Sequence, residues 1–142
     1  MKLPDYVTRE EVQRVCRELG IRDWTKLTEA SVQTEEARLI QEIVGGEAVE
    51  IPVTDFKLGL EVELEHGIQF PDANVTSNHP LLTGKIVLAH LKEMLDYYLR
   101  LEVAELEGDM LKAYRRGDGE KLADKYQKLL DARATLYNQE AK

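Results

Sequence analysis

One cysteine, one tryptophan, four prolines and three histidines in 142 residues are few, and each scarcity narrows what the chain can be. The lone Cys16 cannot close an internal disulfide. It falls on an apolar helical stripe with Val12, Val15 and Leu19, with no neighbour to lower its pKa, so it reads as core packing and not as a reactive thiol. No stretch approaches the ~18 consecutive apolar residues of a membrane-crossing helix, and Met1-Lys2-Leu3-Pro4-Asp5-Tyr6 lacks the apolar segment of a signal peptide. Positive charge is short as well. Nineteen Lys and Arg stand against twenty-seven Asp and Glu, a net charge of -8. That balance opposes attraction to phosphate backbones and anionic membranes. The expectation is a cytoplasmic protein with no membrane role and no nucleic-acid partner. Few amide and sulfur side chains among many charges also hint at a thermophilic source.

What is present suits one helical domain over 1–142, since 43% of the residues are hydrophobic. Thr8 followed by Glu11 is a capping box and Gly20 a stop, which predicts a helix over 9–19. A second helix is expected from Thr34 to Val44, with Ala37, Ile40 and Val44 inward and Gly45-Gly46 ending it. Between them Ile21, Trp24 and Leu27 form an irregular connection that plugs into the core. Residues 45–54 read as an extended linker in which Pro52 resists helix. Together 1–54 would form an N-terminal part, 55–102 a central core and 103–142 an extension.

Residues 55–66 support two readings. Leu58, Leu60, Val62 and Leu64 alternate with polar residues and glycine, a strand pattern. As a helix opened by Thr54 or Asp55 and closed by Gly67, the segment carries Phe56, Leu60, Glu63 and His66 within one face. A long loop, 68–82, follows, of the kind that is functional or packed as a unit. Its Asn74-Val75-Thr76 matches a glycosylation sequon but reads as loop chemistry. Thr83 then looks like the cap of the strongest helix, free of proline and glycine from Lys85 to Glu107. A turn at Arg115 to Gly119 separates it from a last helix carrying Leu122, Tyr126, Leu129, Leu130, Leu136 and Tyr137. The predicted fold class is mainly α: a small helical bundle with a long loop between two motif helices and a long C-terminal antiparallel helix hairpin.

The chemistry-bearing residues concentrate on the two motif helices. Glu63 with His66, and His90 with Glu93, are pairs at i, i+3, each on one helix face. Imidazole with carboxylate suits Zn, Fe or Mn, and helical Glu/His pairs build the ligand sets of carboxylate-bridged bundles. Four ligands suffice for one metal; Glu65, Asp96 or a second subunit would have to supply more, with Tyr97 in support. One pair runs in reverse order, His-x-x-Glu, so the match is partial. The competing reading is a protein-only lock in which His66 and His90 hydrogen-bond the carboxylates, joined by the Tyr97 hydroxyl. A third makes His66 or His90 a general base oriented by a carboxylate, though no activated nucleophile accompanies it.

Other signals are weaker. Leu82-Thr83-Gly84-Lys85 ends like a phosphate-binding loop but lacks the upstream glycine and strand, so helix capping is the better reading. Glu61, Glu63 and Glu65 crowd three acids into five residues, more in keeping with solvated charge than with calcium. Lys112, Arg115, Arg116, Lys121, Lys125 and Lys128 are interleaved with Asp118, Glu120 and Asp124, which weakens them as a nucleic-acid patch.

Several motifs carry a family resemblance. Phe56-x-x-Gly59-Leu60-x-Val62-Glu63-x-Glu65-His66-Gly67, Asn74-Val75-Thr76, Leu82-Thr83-Gly84-Lys85-Ile86-x-x-Ala89-His90-Leu91-x-Glu93 and Asp96-Tyr97-Tyr98-x-Arg100-Leu101 resemble a small bacterial and phage family known only as a domain of unknown function. The resemblance covers about a third of the chain, from Phe56 to Glu102. It implies helix for 55–66, a virion-associated location if the source is a phage, and no particular activity. Two departures matter. Asn78-His79 stands where relatives tend to carry paired aspartates before Pro80, and Leu95 stands where they often have proline. Leu95 would let one continuous helix run into the extension.

The functional expectation is therefore an accessory or assembly module that binds a protein partner or itself through the C-terminal helices. The alternative is a transition-metal protein, with or without enzymatic activity, using Glu63, His66, His90 and Glu93. No substrate or reaction follows from the sequence.

Overall fold

The structure, a computed structural model, describes residues 7–142; the signal-peptide reading of Met1 to Tyr6 lies outside them. The described residues form six α-helices and two short 3-10 turns, with no strand among them. The mainly α class and the helical bundle are as expected. The chain divides into two compact units, Met1–Glu93 and Met94–Lys142.

The first unit holds α1 (Arg9–Leu19), α2 (Thr34–Val44), α3 (Val53–Gln69) and α4 (Pro80–Glu93). Local chemistry sets α1: the Thr8 hydroxyl accepts from the Glu11 N–H, and Gly20, at φ 67°, gives the left-handed stop that an L side chain resists. Val12, Val15 and Cys16 are buried. Burial also pushes the Cys16 thiol pKa up, in keeping with a packing role. Trp24, in a 3-10 turn, is fully buried, so the Ile21 to Leu27 connection does plug the core. Its indole N–H has no acceptor among the described residues.

Residues 55–66 are helical, inside α3. Phe56, Leu60 and Leu64, spaced by four, are fully buried or nearly so, while the alternate Leu58 and Val62 are half-buried. Packing of α3 against both α2 and α4 thus overrides the period-two pattern. The 45–54 segment is not extended throughout. Gly46–Glu50 is a 3-10 turn, because buried Gln41 donates its amide to the carbonyls of Ala48 and Ile51, both at 2.7 Å, and curls the chain around itself.

Two further expectations are corrected. Thr83 does not cap α4. The helix begins at Pro80, the position that tolerates a missing N–H, and the His79 Nδ1 accepts from the N–H groups of Leu81 (3.2 Å) and Leu82 (3.4 Å). Nor does one helix run from α4 into the extension. It stops at Glu93, and α5 (Tyr97–Arg115) starts after Met94-Leu95-Asp96, where Asp96 puts a negative charge at the new N-terminus and holds Arg100 at 2.7 Å.

The second unit is a helical hairpin of α5 and α6 (Gly119–Glu140), turned by Gly117 at φ 68° and capped by the Asp118 carboxylate on the Lys121 N–H. Its seam is Leu106, Leu129 and Ala132, with Val103 and Met110 packed against them. Asp109 to Lys125 at 2.8 Å and Arg100 to Glu140 at 2.7 Å tie the two helices along their length.

Candidate functional site

The motif helices α3 and α4 bring together some of the anticipated residues and disperse others. The Glu63 Oε1 lies 3.6 Å from the His90 Nε2, both side chains mostly covered. That distance is an ion-pair approach and too long for a hydrogen bond, and His90 contributes charge only when protonated. Glu63 and His66 share one helix face, as their spacing requires, and both line an open cavity of about 190 Å³ with Phe70, Val75, Thr83 and Ile86. Glu65 and Glu93 are exposed. Asp96 and Tyr97 belong to the second unit, where Asp96 pairs with Arg100 and Tyr97 meets Tyr98 edge-on with ring centres 5.1 Å apart. None of Glu63, His66, His90 and Tyr97 is without an interaction partner.

Among the described residues, no three His, Cys, Asp or Glu side chains are grouped so as to hold a metal ion. The Glu63–His90 approach supplies two ligands of the four anticipated. The three acids of 61–65 likewise part company: Glu61 accepts from Lys57 (2.6 Å) and the Val32 N–H (3.0 Å), Glu63 faces His90, and Glu65 is exposed. They form no shared calcium cradle. Gly84, the glycine of the phosphate-loop-like string, is buried where α4 meets α2 and α3.

The loop beside the cavity is a packed unit held by its own amides. The Asn74 Nδ2 donates to the Asn78 Oδ1 (2.7 Å) and the Gly67 carbonyl (3.2 Å), Thr76 donates to the Asn74 Oδ1, and the Ser77 hydroxyl reaches the Val7 carbonyl at 2.8 Å. Ser77 and Asn78 take left-handed backbone, φ 51° and 60°, to deliver the chain into the His79 cap. The sequon is thus built into loop structure.

Sequence reasoning missed two buried polar devices. One is Glu36, 3% exposed, which takes hydrogen bonds from the backbone and guanidinium of Arg22 and from the Gln33 N–H. Glu36 at the third helical position after Gln33 is a capping-box spacing, but glutamine is a rare cap and hid the signal. The other is His79. Burial pushes its pKa below the ordinary 6.5, opposed by the nearby Glu11 carboxylate and reinforced by Arg14. A cap that accepts through Nδ1 requires the neutral ring. The unfolded chain therefore binds this proton more readily, and the contribution of the cap is whole above pH 6.5 and lost as pH falls through the depressed folded value. Unfolding followed between about pH 7 and about pH 5 should show stability falling by up to about 1 kcal/mol per pH unit, and His79→Asn should flatten that slope. An unchanged slope in the variant would assign it elsewhere.

This is an all-helical protein in which, among the described residues, no helix is long and apolar enough to cross a membrane. The chain belongs to the family described as "Protein of unknown function (DUF5661)", which it matches over residues 12–107. The match reaches well beyond the motif segment, taking in most of α1 and all of α2, and leaves all of α6 outside. No curated protein and no solved structure matches the chain.

Proposed function

We propose that this chain is a helical accessory or assembly module that acts by binding protein through one side of its C-terminal hairpin. The observation that carries the reading is a set of large, exposed apolar side chains outside the hairpin seam. Leu111 is 49% exposed, Tyr114 71%, Tyr126 51%, Leu130 42% and Tyr137 70%. All five lie beyond residue 107, so none belongs to the part that defines the family. Scattered surface leucines need no explanation, but a row of aromatic and aliphatic residues on one element supports a binding role. Tyrosine is also among the residues enriched in the energetic centres of interfaces.

The second reading, a transition-metal protein, rests on the Glu63–His90 approach, with His66 beside Glu63 on one face of α3 and Glu93 and Glu65 exposed. Two ligands fall short of the set such bundles use, which favours the module.

The test is Tyr126→Glu combined with Leu130→Glu in the full chain. A face that waits for a partner adds nothing to the fold of the single chain, and glutamate is a good helix former. At about 1 µM, where association is slight, the unfolding free energy should stay within about 0.5 kcal/mol of the parent. A loss of about 2 kcal/mol or more would show that these side chains are core of the chain itself, and the module reading would fall.

A further inference from the structure

We infer that the partner of the hairpin face is a second copy of this chain, the two hairpins meeting about a two-fold axis as four helices. The inference rests on the reading of that face as the binding element and adds to it the identity of the occupant.

The geometry begins with register. Each outward residue directly follows a more deeply buried one: Leu111 follows Met110, Tyr114 follows Ala113, Tyr126 follows Lys125, Leu130 follows Leu129 and Tyr137 follows Leu136. One residue is about 100° of helix, so each helix carries a second apolar stripe on one flank of its seam. Glu107 follows Leu106 and Arg133 follows Ala132 in the same way, and those two side chains meet at 2.6 Å across the hairpin. The flanking stripes of α5 and α6 therefore lie on the same side, and together they make one two-helix face. Four helices that share such stripes close into the ordinary up-and-down bundle.

Charge then selects the occupant. Residues 94–142 hold ten Asp and Glu and nine Lys and Arg, a net of -1, so the remaining -7 of the chain resides in residues 1–93. Two whole copies repel, but two hairpins do not. The face itself balances acid with base, Glu107 with Arg133 and, one heptad further along each helix, Arg100 with Glu140. An isologous pairing of such a patch can set acid against base at both ends of its axis, which a patch of one sign cannot do. Area sets the strength. Three tyrosines and two leucines, exposed over 42% to 71% of their surface, amount to about 500 Å² per copy, or roughly 1,000 Å² for the pair, the lower limit of a specific interface. The expected dimer is therefore weak, with a Kd of about 30 µM, and fills with concentration.

The experiment is sedimentation equilibrium on the full chain from about 1 µM to about 300 µM. The expected mass rises from 16.2 kDa towards twice that value. Tyr126→Glu with Leu130→Glu should weaken association at least about 100-fold, whereas Val49→Glu, at an exposed apolar residue of the first unit, should leave it unchanged. A parent mass of 16.2 kDa at every concentration overturns the second copy as occupant. A dimer that survives the double substitution, or a mass that climbs past two copies, overturns this face or its two-fold pairing. The module reading fails separately, by loss of stability of the double variant at low concentration, so a monomeric parent with a stable double variant would leave it standing with a different partner.

Discussion

Glu36→Ala should remove about 3–5 kcal/mol of stability, one of the two largest effects expected of a single substitution in this chain. The Glu36 carboxylate is 3% exposed and accepts from four N–H groups: Arg22 Nε at 2.9 Å, Arg22 Nη2 at 2.6 Å, the Arg22 backbone at 3.1 Å and the Gln33 backbone at 3.0 Å. Alanine leaves two backbone donors without their acceptor and a partly covered guanidinium without its counter-charge, held only by the Ser31 carbonyl at 2.6 Å, and the cost of that orphaning exceeds the net worth of the pair. Against a total of about 5–15 kcal/mol for a domain, the loss is large. Trp24, the single tryptophan and fully buried, reports it directly in urea unfolding followed by fluorescence. Glu36→Gln, which keeps one acceptor oxygen, should fall between. A loss below about 1 kcal/mol for alanine would mean that water replaces the carboxylate. Burial pushes the Glu36 pKa up, but the hydrogen bonds from Arg22 and Gln33 outweigh it and hold the carboxyl below its ordinary 4.5. Its contribution is therefore complete above pH 4.5 and is lost as pH falls through the depressed folded value.

Gly84→Leu should unfold the first unit or cost it more than about 3 kcal/mol, and Gly84→Ala about 1–2 kcal/mol. A Cβ at Gly84 would stand 2.9 Å from the Cγ2 methyls of both Ile40 and Val44, and 3.4 Å from the Phe56 ring. Those atoms belong to α2 and α3, so the glycine is what lets α4 approach two helices at once. Alanine gains about 1 kcal/mol of helix propensity, and the sign of the outcome therefore measures the packing directly. Gly108 on α5 is the control, since a Cβ there meets nothing within 4 Å. Gly108→Ala should stabilise by about 0.5–1 kcal/mol. Equal gains at both positions would dispose of the close-approach argument.

These two residues also mark where the sequence stopped being legible. Helices α1 and α2 could be read because their stop signals are local: Gly20 and Gly45 end them through their own backbone geometry. Residues 55–66 were readable as two structures because Leu58, Leu60, Val62 and Leu64 fit a strand; what decides for helix is that Phe56, Leu60 and Leu64 are covered from two sides by α2 and α4. The start of α4 was misplaced because a histidine lone pair does the work assigned to Thr83. The break at Met94 to Asp96 carries no proline or glycine to announce it. At the candidate site, the Glu63–His66 spacing fixed a shared face on α3, whereas Glu93 sits on the last residue of its helix, where spacing alone does not determine what the side chain meets.

The bond between the Ser77 hydroxyl and the Val7 carbonyl has a consequence for the order in which the molecule assembles. It joins residues seventy apart, so during synthesis Val7 waits until Ser77 has emerged. The hairpin is governed differently. Its cross-links grow outward from the Gly117 turn, Asp109 to Lys125 first, Glu107 to Arg133 next and Arg100 to Glu140 last, each closing a loop already shortened by the one before. Low contact order and sequential closure should make the hairpin the quicker unit to form and the first unit the slower to close.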